Sequence, residues 1–102
     1  MNKLKRQKFE IEMLSRHYLD SKYKLEDHSH ALLEICPHRI KNYRRTVKHI
    51  EDVARTLPDK QRLIIEHEVM MGKTGTWYLE YFSASSYFRH RAKAYDNFLD
   101  CL

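Results

Sequence analysis

Apolar positions along this chain recur at intervals of three and four, the spacing of one face of an α-helix. The longest stripe is Ile40, Tyr43, Val47, Ile50, Ala54 and Leu57, and it predicts a helix over residues 38–56 with Val53 at its border. The opposite face carries Lys41, Arg44, Arg45, Lys48 and Arg55, with Glu51 and Asp52 among them, and Arg39 lies nearer the apolar side. Upstream, Leu4, Ile11, Leu14, Tyr18 and Leu25 share one face of a helix over residues 3–27. Phe9 and Met13 fall on its far side and point to a second contact surface. A short helix over residues 31–35 is expected to stop at Pro37, because a residue before proline is driven out of the α region.

Leu57-Pro58-Asp59 restarts the chain. Pro58 suits a first helical position and Asp59 complements the helix dipole. Leu63, Ile64, His67 and Met71 then mark a helix that Gly72 ends. Lys73-Thr74-Gly75-Thr76 reads as a loop, with Thr76 the cap of a short helix over residues 77–82. Ser83 caps a final helix over residues 83–102. On that helix Ala84, Tyr87, Phe88, Ala94, Tyr95, Phe98, Leu99 and Leu102 form one arc, which Leu63, Ile64, Trp77 and Leu79 are expected to cover. Ser85, Ser86, Arg89, His90, Lys93 and Asn97 form the other, with no acid until Asp96. Arg91 projects into the apolar arc, where it either lies along the core edge or pairs with Glu66, Glu68 or Glu80.

Length and charge narrow the reading. A chain of 102 residues supports one core, so residues 1–102 are read as a single domain. Within it lie a helical arm (1–35), a central amphipathic helix (38–57) and a helix-turn-helix region (58–102). Only two glycines and two prolines interrupt it, which predicts an all-α helical bundle. The net charge of +5 is local: residues 35–58 hold six bases against two acids, whereas residues 59–102 hold six of each. Such a basic stripe meets phosphate, an acidic protein face or simply solvent. Cys36 and Cys101 are too few for a disulfide framework, and Cys101, near Phe98, reads as a small core residue. The charged N-terminus and the absence of a long apolar run predict a reduced, cytoplasmic protein with no membrane span.

Candidate chemistry is sparse. His28, His30, Cys36 and His38 are possible zinc ligands, but their spacing matches no common structural site. Gly72-Lys73-Thr74-Gly75 lacks the spacing of a phosphate-binding P-loop, and no carboxylate pair stands out. The aromatic residues between 78 and 88 suit either a core or the stacking of unpaired bases. The protein is therefore read as a non-enzyme without metal or cofactor. Hydroxyls and bases on the first turns of the final helix are the groups that reach phosphates and base edges. Arg89 is the candidate for a base contact and Lys93 for a phosphate contact.

From Leu57 onward the chain resembles the C-terminal helix-turn-helix of bacterial sigma factors, nearest to ArpU-type regulators of phages and bacteria. The resemblance rests on Leu57-Pro58, on Gln61-Arg62-Leu63-Ile64-Ile65, and on the run from Tyr81-Phe82-Ser83 through Ser85-Ser86-Tyr87-Phe88-Arg89 to Ala94. The helix with Tyr43, Arg44 and Arg45 is similar to the ArpU-type arrangement. The bulky Trp77-Tyr78-Leu79 departs from the family pattern, and so does the glycine-flanked lead-in. The resemblance implies a transcriptional regulator with its final helix in the major groove of duplex DNA. Ser83, Ser85, Ser86, Arg89, His90 and Lys93 would make contacts there, and Thr74 and Thr76 would lie near phosphates. The charge of the Lys41–Lys48 face, with Arg44, Arg45 and Lys48, is expected on its own account to steer toward phosphate. RNA polymerase and a second copy of the chain are the further expected partners. The alternative is a non-catalytic adaptor that binds RNA polymerase or another protein through residues 3–27 or 77–82, a use that an exposed Trp77 would favour.

Overall fold

The computed structural model describes residues 2–27 and 37–102. They form an all-α fold of four α-helices, with no strand among the described residues. Helix α1 (Lys3–Asp27) lies along the rest of the molecule. It buries Gln7, Ile11, Ser15, Tyr18 and Ser21, which recur at the expected three- and four-residue intervals. Leu14 and Leu25 are half-buried beside them. Leu4 departs from the expected inward face and is 40% exposed. Polar contacts hold the first turns instead: Lys3 lies 3.0 Å from the Asp96 carboxylate, and the Gln7 side-chain amide donates to it at 2.6 Å. Phe9 and Met13 face solvent, as their phase predicts.

Helix α2 (Pro37–Thr56) buries Ile40, Ile50, Val53 and Ala54. The Tyr18 hydroxyl, almost fully enclosed, donates to Glu51 at 2.7 Å and ties α1 to α2. Helix α3 (Asp59–Ile65) begins one residue later than expected, since Pro58 has an extended ψ of 153° and its carbonyl accepts from the Arg62 N–H at 2.8 Å.

The chain then widens into a π turn (Glu66–Met70). The expected stripe holds through Leu63, Ile64 and His67 and fails only at Met71. Wider i→i+5 spacing puts Ile65 and Val69 in the core and leaves Met71 54% exposed. Gly72 ends the element at φ +66°, as expected of a C-terminal glycine. A 3₁₀ turn (Trp77–Glu80) replaces the short helix expected over residues 77–82. The Thr76 side chain does not cap it, and the turn is closed by the Leu79 N–H on the Thr76 carbonyl at 3.1 Å.

Helix α4 (Ala84–Cys101) is capped as expected, the Ser86 N–H donating to Ser83 Oγ at 3.3 Å. Tyr87, Ala94, Tyr95 and Phe98 enter one cluster with Ile11, Tyr18, Ile50, Ala54, Ile64, Ile65 and Val69. Ala84, Phe88 and Leu102, expected on the same arc, are exposed, as is Cys101. The core is filled from α1 and α3 before the arc reaches them, so Cys101 is a solvent-facing thiol and not a packing residue. No helix of the described residues is long and apolar enough to cross a membrane.

Candidate nucleic-acid interface

The inward pull of Tyr87, Ala94, Tyr95 and Phe98 fixes the rotation of α4. Ser85, Arg89 and Lys93 therefore face solvent, while Ser86 and His90 lie half-buried at the border. Asn97 locks this rotation by donating to Gln61 of α3 at 2.7 Å. His90 packs its ring 5.8 Å from that of Phe82. Its pKa falls below the usual 6.5, first through loss of hydration, then through the charges of Lys60, Arg89 and Lys93. Lys60 comes from α3, so two elements build one basic surface. Among the described residues no acid pairs with Lys60, Arg89 or Lys93. Asp96, the next acid along α4, is taken up by Lys3 and Gln7, which hold its carboxyl below the usual range.

The remaining candidate residues do not join this surface. Thr74 and Thr76 are exposed in the loop after Gly72, and Thr74 faces a cleft shared with α1. Arg44, Arg45 and Lys48 are exposed on α2, with Lys48 paired to Asp52 at 3.3 Å. That stretch of α2 meets α4 at its far end, where the His49 ring nitrogen Nε2 lies 3.3 Å from the Leu102 carbonyl. The 18 residues of α4 span about 27 Å. The basic stripe of α2 and the Ser85–Arg89 turn thus lie toward opposite ends of one helix.

Behind the basic surface the aromatic residues surround Glu68. Its carboxylate accepts from the Trp77 indole N–H at 3.0 Å and from the hydroxyls of Tyr87 and Tyr95. Burial first, and then Glu68, push both phenols well above their usual pKa of 10.0. Trp77 stacks on His67 with centroids 4.5 Å apart, and the His67 nitrogen Nδ1 lies 2.8 Å from the Leu63 carbonyl oxygen. Tyr78 stacks on Tyr87 at 3.8 Å. The bulky Trp77-Tyr78 that departs from the sigma-like pattern is therefore packing for the base of α4, and Trp77 is half-buried, not a free anchor. Leu79, expected to help cover α4, is 57% exposed, and Tyr81 stands beside it.

Arg91 pairs with none of Glu66, Glu68 or Glu80. Its guanidinium lies over the rings of Phe88, Tyr87 and Tyr95 at 4.8, 5.6 and 5.9 Å. Half-buried there, it takes the expected place along the core edge and not the ion pair, and the cation–π contacts are the detail the sequence did not specify. Glu68 and Lys60 were equally hidden, because their partners lie on elements whose packing no local pattern encodes. Of the possible zinc ligands, His38 is exposed, while His28, His30 and Cys36 lie outside the described residues, as does the helix expected over residues 31–35. Compared with family models, with curated proteins and with solved structures, the chain matches none of them.

Proposed function

We propose that this protein is a DNA-binding transcriptional regulator, with α4 in the major groove of a duplex in the manner of a sigma-like helix-turn-helix. One observation carries the reading. Lys60, Arg89, His90 and Lys93 converge from two elements on a surface that no acid neutralises among the described residues. Unpaired charge held on a fixed helix suits phosphate, and the exposed Ser85 and Arg89 on the first turns suit base edges. The capped N-terminus of α4 adds its dipole in the same sense.

The test is a salt titration of the purified protein on duplex DNA, read by fluorescence anisotropy. Affinity is expected to fall steeply with salt. Arg89→Ala should cost about 1–3 kcal/mol and relax sequence preference, and Lys93→Ala should weaken all sequences alike and lower the salt slope by about one. Absence of binding at low salt, or binding unchanged in the double variant, rejects the proposal. A second reading, an adaptor for RNA polymerase or another protein, has its own support in the exposed Leu79 and Tyr81. Capture of the polymerase that survives high salt and disappears in Leu79→Ser would favour it.

A further inference from the structure

On the other side of α4 lies a cleft of about 620 Å³ between α1, the 72–75 loop and the first turns of that helix, within the size range of small-molecule sites. Its charge is one-sided. Lys8 and Arg16 approach from α1, Lys73 from the loop and Arg91 from α4, against only Glu12 and Glu68. Glu68 is already committed to three donors. Arg91 has no carboxylate partner among the described residues, and its Nε is buried without an acceptor. A guanidinium that lies over ring faces without a carboxylate partner keeps terminal N–H groups to donate to an oxyanion. The wall beside it is flat and apolar: Phe88 is 46% exposed and borders the cleft, and Tyr78 borders it while stacked on Tyr87. Gly75 stands at the rim with φ +74°, where a side chain would meet nothing within 4 Å, so the backbone there is open to approach.

We infer that this cleft binds a small organic phosphate carrying a flat ring, of the mononucleotide kind, with Arg91 and Lys73 on the phosphate and Phe88 against the ring. The ring is needed because the apolar wall gives no purchase to a bare anion. The phosphate is needed because cations outnumber acids around the opening. The site is independent of the DNA surface: Arg91 and Arg89 project roughly 160° apart around α4.

The experiment titrates the full-length protein with adenosine monophosphate, inorganic phosphate and adenosine at physiological ionic strength, followed by amide chemical shifts and Trp77 fluorescence. Adenosine monophosphate is expected to saturate at submillimolar concentration, with shifts centred on residues 72–75 and 88–91. Inorganic phosphate and adenosine should each bind about tenfold or more weakly, since each keeps only half of the interactions. Lys73→Ala, on an exposed loop with no packing role, should weaken the monophosphate about fivefold or more, as expected for removing one charge-assisted hydrogen bond. Arg91→Met should abolish binding, and Arg89→Ala with Lys93→Ala should leave it unchanged. No saturation at millimolar ligand overturns the inference. So does equal binding of phosphate and monophosphate, indifference to Lys73→Ala, or loss of binding in the Arg89/Lys93 variant. Because duplex binding is read with the opposite set of variants, failure of this site and failure of the DNA reading are told apart.

Discussion

Glu68 gathers donors from three later positions of the chain, Trp77, Tyr87 and Tyr95, and so fastens the π turn and the 3₁₀ turn to α4. Deleting an acceptor shared by three half-buried or buried donors leaves all of them unpaired. Glu68→Ala should therefore cost about 2–4 kcal/mol in urea unfolding, well above an ordinary surface substitution. A cost under about 1 kcal/mol would mean that water replaces the carboxylate. The same burial gives the protein an alkaline weakness. Tyr87, Tyr95 and Tyr18 all have folded pKa values raised above 10.0. Their contribution is fully present below the unfolded value near 10, and it is lost as pH rises toward the folded values, because the unfolded chain releases protons first. Stability should fall steadily above about pH 10. Phenolate absorbance of the native protein should show Tyr18, Tyr87 and Tyr95 withheld until the chain unfolds. A single step that counts all seven tyrosines before unfolding would contradict this. None of it was legible in the sequence, where Glu68 figured only as a possible partner of Arg91.

Elements read well where burial follows one period, and poorly where it changes. The α2 stripe fixed both a face and an end because Ile40, Ile50 and Ala54 all turn inward together. The Ser83 cap was equally plain, since a serine before an apolar-periodic run has one local use. The π turn was not visible, because its extra residue per turn answers the packing of Ile65, Val69 and Glu68 and not any local propensity. Gly72 was correctly placed as a stop, but its second role is tertiary. A Cβ there would meet Leu19 Cδ1 at 3.0 Å and Ser15 Oγ at 3.4 Å, so the loop sits directly on α1. Gly75 shares the positive φ but has open space around it. Gly75→Ala should thus cost about 1–2 kcal/mol from backbone strain alone. Gly72→Ala carries that strain and must also displace Leu19, so it should rank as the more destabilising in thermal unfolding. The reverse order would show that the loop is not seated against α1.

At the scale of the whole molecule, sequence reading located both basic faces but not the distance between them or the part of Lys60 in the second. Lys41, Arg44, Arg45 and Lys48 form one stripe on α2, and Lys60, Arg89 and Lys93 a second surface on α3 and α4. The helix that links them is anchored at opposite ends: His49 lies at its Leu102 terminus, and the Ser83 cap closes the other. Charges this far apart lie beyond a Debye length of about 8 Å in physiological salt, so they do not sense each other through solvent. In the proposed complex the two surfaces should act independently. Lys41→Ala with Arg44→Ala and Arg45→Ala should lower duplex affinity for every sequence, the salt slope shrinking by about 0.9 for each phosphate no longer neutralised. Arg89→Ala with Lys93→Ala should also change which sequence is preferred, because only α4 carries groups that face base edges. Combining the two sets should give a free-energy penalty equal to their sum within about 0.5 kcal/mol. If the combined penalty falls well short of the sum, the two surfaces compete for the same phosphates. If the α2 set has no effect, its stripe is a solvated face, and recognition rests on α4 and Lys60 alone.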